Sequence, residues 1–368
     1  LNDGFTINVA VFLFILPFLL FSSTAGKLAD CNDKAKLTQY IKLFEIFLNL
    51  LILFALYYKL TWLLLLNIFF VGVYATFLGP IKYAIIPQYL DKEQIVDGTG
   101  YVEFITFIAI IVGQICGTWF IIHNHIMFAG FVLLGFSLLG YVSSLKMQSV
   151  PSVTDKLAIS LNIFKDTYNT YLKIMKTPKI KTIIHFTSWF WALAAIITTQ
   201  LPLFCQKYIN SDANFYLVIL VSFSISIGLG SVICAKMSKQ RSNPNLGLLG
   251  IICISIFGFL LLFINNKPTI ASIYSIQFII VIAVCLMLGI ACGFFSITCY
   301  NQMQLASPND CRSQIVSILN IVNSFYMIIA SLIAAILLLF INVWQVLVIL
   351  FTINCVIAWI YAHHHKII

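Results

Sequence analysis

Two ionisable residues stand where an apolar chain seldom carries them. Glu103 lies about seven residues into an apolar run that begins near Val96, and Lys82 closes the preceding run, two residues after Pro80. A carboxylate and an ammonium at similar depth on adjacent helices can pair, or can hold the charged part of a substrate or a coupling ion. The residues alone leave both readings open, along with snorkelling of the lysine stem toward water. Tyr83 follows Lys82 directly. Lys42 and Glu45, three apart, suit a local ion pair on one helix face. Trp189, Trp191 and Gln200 fall in one later run, and Asn320 and Asn323 share a face at i, i+3. Such groups can line a cavity; packing and interhelical hydrogen bonding explain them as well.

Other chemistries have no support. No nucleophile–base arrangement, phosphate loop or paired carboxylates stand out, so the chain does not read as an enzyme and implies no cofactor. The 10 cysteines form no CxxC pairs; Cys285, Cys292 and Cys299 recur every seven residues, as small residues along a helix do. His123 and His125, and His363 to His365, lack partners at metal spacing. Gly113/Gly117 and Gly289/Gly293 are GxxxG pairs, expected to mark close helix contacts.

The elements that must position these residues follow from composition. Of 368 residues, 61% are hydrophobic and 9% charged, against roughly 25% charged in soluble domains. A water-soluble core could not hide so much apolar surface. The apolar runs approach the roughly 20 residues that cross a bilayer as a helix, and backbone groups in hydrocarbon must be paired internally. The reading is an all-α polytopic membrane protein. Eleven helices are expected near 5–26, 37–58, 61–86, 96–122, 127–145, 181–203, 213–236, 246–265, 270–299, 313–340 and 343–362.

The net charge of +9 does not indicate a nucleic-acid partner, because the 21 basic residues occupy short gaps without interleaved aromatics. Eighteen of them fall on one side of the spans, and only Lys59, Lys207 and Lys267 on the other. The positive-inside rule makes the richer side cytoplasmic, with the carboxyl end inside and Leu1 outside. A chain opening on Leu1 outside, just before a span, leads us to expect one further helix upstream, hence twelve spans.

The longest polar gap divides the chain into an N-terminal half, 1–145, a linker, 146–180, and a C-terminal half, 181–368. Within the linker Leu157, Leu161, Phe164, Tyr168, Leu172 and Met175 recur at helical spacing, with Lys156, Lys165, Lys173 and Lys176 largely opposite. Such a helix suits an anionic leaflet surface, bringing membrane lipids in as partners, or a partner protein. Gln94-Ile95-Val96 and Gln314-Ile315-Val316 each open a span, six spans apart, as parallel transporter repeats do.

Particular residues then carry a resemblance. Gly26-Lys27-Leu28-Ala29-Asp30-Cys31-Asn32-Asp33-Lys34-Ala35-Lys36 resembles the signature loop after the second helix of the major facilitator superfamily, with Cys31 and Asp33 departing from its pattern. That likeness implies a gating role for Gly26, Asp30 and Lys34 at a cytoplasmic helix end. Gly79-Pro80-Ile81-Lys82-Tyr83 with Glu103, Thr106, Gly113 and Gly117, then Ser188-Trp189-Phe190-Trp191, Thr199-Gln200-Leu201-Pro202, Gly293-Phe294-Phe295 and Arg312-Ser313-Gln314-Ile315-Val316, look like the lysophospholipid transporters of that superfamily. They are most similar to the transporter part of proteins fused to an acyltransferase and an acyl-acyl carrier protein synthetase. Thr99 and Thr298 depart, standing where Asn and Pro are expected. The resemblance implies a two-half bundle in the inner membrane that moves lysophospholipid by alternating access to an acyltransferase, fused or separate. Glu103, Lys82, Tyr83, Trp191, Gln200, Asn320 and Asn323 then become substrate or coupling candidates. The alternatives are a carrier of another small molecule and a non-transporting module that anchors an acyltransferase.

Overall fold

The computed structural model describes residues 3–149, 152, 163–209, 213–238, 243–264 and 275–364. Helices account for nearly all of them, and the described residues contain no strand. In chain order they are α1 (Asp3–Cys31), α2 (Lys34–Tyr57), α3 (Thr61–Ala84), the short α4 (Ile86–Tyr89), α5 (Ile95–Ile122), α6 (Ile126–Ser144), α7 (Ile163–Met175) and α8 (Pro178–Phe204). After α8 come a π-helical turn (Cys205–Ile209), α9 (Ala213–Met237), α10 (Pro244–Ile264), α11 (Ile276–Ala306), a 3-10 turn (Asn309–Cys311), α12 (Arg312–Leu337) and α13 (Val343–His364). Among the described residues, eleven stretches are long and apolar enough to cross a membrane. Large apolar side chains such as Phe47, Phe136, Leu139, Phe263, Leu332 and Trp359 are exposed on them. Hydrocarbon covers such flanks; water would not.

The chain forms two compact units. The first comprises Leu1–Tyr89, Gly113–Pro178 and Ser307–Ser324; the second comprises Leu90–Val112, Lys179–Ala306 and Phe325–Ile368. In the first, α1 packs on α3 and α7, while α2 packs on α3 and α6. Polar side chains tie these helices. Asn67 donates to the Leu48 carbonyl at 2.9 Å, and the Lys42 ammonium reaches both Glu45 and the Tyr74 hydroxyl at 2.8 Å. The expected Lys42–Glu45 pair is therefore present, with a third member on α3.

In the second unit α11 packs on α9 and α10, and α10 on α13. Its core holds Phe190, Phe204, Phe278, Phe295, Phe351 and Tyr361. Gly289 and Gly293 let α11 approach α9: added Cβ atoms would lie 2.5 Å from the Phe223 carbonyl oxygen and 2.3 Å from that of Ile227. Fully buried Asn354 joins three helices. Its amide donates to the Ile251 carbonyl at 3.0 Å and the Ser255 hydroxyl at 2.9 Å, and its oxygen accepts from Trp189 Nε1 at 2.8 Å.

Several expectations need correction. The signature stretch 26–36 is not a loop: α1 continues through Cys31 and α2 starts at Lys34. Asp33 caps α2 by accepting from the Ala35 amide at 2.9 Å, and Asn32 donates to the Leu28 carbonyl at 2.8 Å. The span expected at 270–299 runs instead to Ala306, because Asn301, Gln302 and Gln304 are enclosed by protein and need not end the helix; 265–274 lie outside the described residues. Gly113 and Gly117 make no close contact, since nothing among the described residues lies within 4 Å of an added Cβ at either. Of the linker, α7 is described, while Pro151, Lys156, Leu157 and Leu161 are not. Phe164, Tyr168 and Leu172 form an exposed stripe on α7, and the packed face is Asp166, Thr170 and Ile174.

The two GxxxG pairs separate by experiment. Gly293→Val should cost about 1–3 kcal/mol through overpacking, lowering the melting temperature in detergent by several degrees. Gly113→Val should leave it unchanged within error. Equal effects of the two would contradict the packing described here.

Candidate functional site

The most constrained polar group is Asp30, 1% exposed near the end of α1. Its carboxylate accepts from the backbone amides of Ser313 at 3.0 Å and Gln314 at 3.2 Å, and from the Gln314 side-chain amide at 3.2 Å. These amides belong to the first turn of α12, where backbone N–H groups have no acceptor within their own helix. Asp30 thus caps α12 from a segment more than 280 residues away in sequence, and its negative charge meets the positive end of the helix dipole. Close approach is required, and Gly26, one turn earlier, permits it. An added Cβ there would lie 2.5 Å from Ser317 Oγ and 2.9 Å from Gln314 Cα. Two of the three gating candidates, Gly26 and Asp30, therefore meet α12 directly. Lys34, fully buried at the start of α2, lines a polar cavity with Asp30 and Arg312.

A second polar seam fastens α7 to α1. The Lys27 ammonium pairs with the Asp166 carboxylate, and Ser23 Oγ donates to Thr170 Oγ1 at 3.1 Å. The sequence reading missed Asp166 and Thr170. Their i, i+4 spacing opposite the apolar stripe was the available signal.

The remaining candidates distribute between the units. In the first, the Lys82 ammonium sits over its neighbour's Tyr83 ring, 4.5 Å from the centroid. Asn320 Nδ2 is 3.0 Å from where a Cβ at Gly79 would stand, so the α12 asparagine packs one turn from Lys82. Asn323 is buried on α12. In the second unit, Trp191 Nε1 donates to the Tyr300 hydroxyl at 3.0 Å, and Glu103 is buried on α5. Gln200 is buried too; its amide donates to Thr199 Oγ1 at 3.3 Å, and its side-chain oxygen has no partner among the described residues. Thr99 and Thr298 bond their own helix carbonyls, at Ile95 (2.8 Å) and Phe294 (2.7 Å), so Thr298 leaves α11 without the break a proline would bring.

The second unit also contains an apolar crevice of about 300 Å³ where α8, α12 and α13 meet. Trp189, Ile196, Phe325, Ile329, Ala330 and Ile353 are among its lining residues. At its rim Tyr326 and His185 share a hydrogen bond of 3.0 Å. Its volume is at the lower end of small-molecule sites, about 300–1,000 Å³. Tyr326 and the Trp189 indole supply the polar side-chain atoms among its lining residues.

Long apolar helices with exposed apolar flanks, and a helix capped across the sequence, define a polytopic helical membrane protein. The chain belongs to the Major Facilitator Superfamily, whose family model matches residues 1–331. Comparison with curated protein sequences gives no match. Among solved structures, it is similar to the transporter FucP in the outward conformation, with a TM-score of 0.75 and 11% identity over 98% of this chain and 90% of that one. It is also similar to the human organic anion transporter MFSD10 (TETRAN), with a TM-score of 0.72 and 9% identity over 96% and 82%. A bacterial homologue of the iron transporter ferroportin in an outward-facing state gives 0.67 and 10% over 98% and 91%. At these identities the likeness concerns the fold.

Gly26 and Asp30 act on one contact, which makes a double-mutant cycle informative. Asp30→Ala should cost about 1–2 kcal/mol as a lost cap, and Gly26→Val should displace the same helix end. The double variant should therefore melt well above the additive value. Additivity within about 0.5 kcal/mol would show the two residues to be independent.

Proposed function

We propose that this superfamily member transports lysophospholipid by alternating access, from the outer to the inner leaflet of a bacterial inner membrane. The observation that carries this reading is the apolar crevice between α8, α12 and α13, bounded by Trp189 and Tyr326. A site so poor in polar lining suits an acyl chain better than a sugar or an amino acid, since each buried CH₂ contributes about 0.8 kcal/mol. The motif resemblance through Gly79–Tyr83, Glu103 and Trp189–Trp191 supports the same substrate class. Lys82 and Glu103 are, each in its own unit, the charged candidates for the substrate or a coupling ion. Trp191, Gln200, Asn320 and Asn323 are the uncharged polar groups of the path. An acyltransferase, fused or separate, would consume the delivered lipid.

In this reading Asp30 is a gate residue. It joins α1, from the amino-terminal half of the sequence, to α12, from the other half, and its cap must break and reform as access alternates. Lys34 and Gly26 support that contact. A second reading, a proton-coupled carrier of a hydrophilic solute, draws on Glu103, a carboxylate only 1% exposed. A fucose:proton symporter is among the solved structures of the same fold.

Uptake of labelled lysophosphatidylethanolamine into proteoliposomes tests the function. Asp30→Asn should slow flux at least tenfold while leaving lysolipid binding within a few-fold; equal losses of both would make it a ligand instead. Ala330→Trp should obstruct the crevice and abolish flux of long-chain lysolipid in a folded protein. Full flux in that variant, or wild-type flux of hydrophilic solutes only, would reject the lipid reading.

For the two charged candidates, Glu103→Gln with Lys82→Met should give a folded protein that fails to transport. Recovery of transport in the double variant would make the two charges structural.

A further inference from the structure

The apolar crevice between α8, α12 and α13 continues past the ends of those helices. Beyond it, at the carboxyl end of α8, an open mouth of about 800 Å³ is lined by the same three segments. Along α8 the wall passes from Ile196 in the crevice to Leu203 in the mouth, at the end of α12 from Leu337 to Leu338, and at the start of α13 from Val346 to Val343. All three steps run in one direction, so the two spaces form a single groove in the second unit. Its apolar part follows α12 from Phe325 to Leu337, about 18 Å at ~1.5 Å per residue. Half the hydrocarbon core of a bilayer is about 15 Å, which is the reach of one leaflet's acyl chain.

The mouth has a different chemistry. The π-helical turn Cys205–Ile209 buries its first and last residues and leaves Gln206 and Lys207 exposed in the lining. The Lys207 ammonium, 5.7 Å from the centroid of the Tyr208 ring, is the only charge among the described lining residues. Asn342 and Gln345, also in the lining, cap α13 reciprocally: Gln345 Oε1 accepts from the Asn342 amide at 3.1 Å, and Asn342 Oδ1 from the Gln345 amide at 3.0 Å. With both side-chain oxygens committed, each side chain keeps an N–H donor group for a ligand. A cation with spare donors suits an anion. The turn between α12 and α13 exposes Leu339 and Phe340, and the Trp344 indole beside it donates to the Leu262 carbonyl at 3.2 Å. Exposed apolar side chains next to an indole and an ammonium belong at the boundary between acyl chains and headgroups.

We propose that this groove holds one single-chain phospholipid, its acyl chain in the crevice and its phosphate on Lys207. The inference rests on the lipid reading of the crevice and adds the headgroup specificity. The mouth recognises the phosphate diester and not an amine beyond it, because no carboxylate stands among its described lining residues. Lysophosphatidylethanolamine and lysophosphatidylglycerol therefore bind alike. A monoacylglycerol, without phosphate, and a glycerophosphodiester, without a chain, each satisfy only part of the groove.

The test uses the full chain in maltoside detergent and a radiolabelled lysophosphatidylethanolamine with a photoactivatable diazirine on its chain. Wild type should be labelled saturably. Lys207→Gln should raise half-saturation about tenfold, as loss of one charge-assisted hydrogen bond does, and Lys207→Arg should restore it to within a few-fold. Lys59→Gln, at an exposed lysine that does not line the groove, should leave it unchanged. Unlabelled lysophosphatidylglycerol should compete within a few-fold of unlabelled lysophosphatidylethanolamine, and monoacylglycerol and glycerophosphoethanolamine at least tenfold more weakly. Unsaturable labelling of wild type overturns the site, as does equal weakening by Lys207→Gln and Lys59→Gln. Competition by glycerophosphoethanolamine as strong as that of the lysolipid overturns the single groove. Lysolipid flux in proteoliposomes separates this proposal from the transport reading. Flux in wild type with undiminished labelling of Lys207→Gln rejects the groove and leaves lipid transport standing; Lys207-dependent labelling without flux upholds the groove and rejects transport of this lipid.

Discussion

A carboxylate buried against the open end of a helix is the interaction on which the first unit depends. Where bulk water is scarce, the free amides at the start of α12 and the charge of Asp30 would each be costly alone, and each satisfies the other. The requirement propagates outward. Gly26 must lack a side chain so that α1 and α12 can approach, and Asp33 must turn the chain sharply into α2. Lys27 and Ser23, on the same stretch of α1, are then available to fasten α7 through Asp166 and Thr170. One helix end thus gathers segments from both halves of the sequence through a few hydrogen bonds.

Hydrogen bonds of this kind suit a reversible contact. A large apolar interface resists separation in proportion to its buried area, whereas a cap of three hydrogen bonds is broken by a small separation of the two helices, because such bonds weaken steeply with distance and angle. The second unit is built differently. Its α9–α11 packing relies on backbone approach at Gly289 and Gly293, and Asn354 locks α8, α10 and α13 with every polar atom of its amide engaged. The second unit is thus densely packed beside an apolar crevice, and the first is closed by a polar cap.

Much of this was legible in the sequence, and the failures have physical causes. The spans could be read because hydrocarbon length sets a strong constraint on apolar runs. The end of α11 could not, because Asn301, Gln302 and Gln304 are polar yet shielded by protein, and hydropathy does not distinguish lipid from a protein interior. The signature residues were recognised by type, but their helical state depends on the Asp33 cap and the Asn32–Leu28 bond. The two GxxxG pairs carry the same local pattern, and only the identity of the facing helix separates Gly293 from Gly113. Asn354 carries no signal in the sequence, because a lone asparagine in an apolar run has no periodic partner; its partners come from α8 and α10. Lys34 reads as a gating residue and Arg312 as part of a motif, but their shared cavity is not legible, since it arises only when α2 and α12 are brought together.

If the chain works by alternating access, the contact between α1 and α12 opens and closes during transport. Ser317, fully buried on α12 against Gly26, reports that opening when replaced by cysteine in an otherwise cysteine-free protein and exposed to a maleimide in proteoliposomes. Reaction at Ser317→Cys should be slow at rest and several-fold faster during lysophosphatidylethanolamine flux. An unchanged rate in protein that is transporting would contradict a contact that opens.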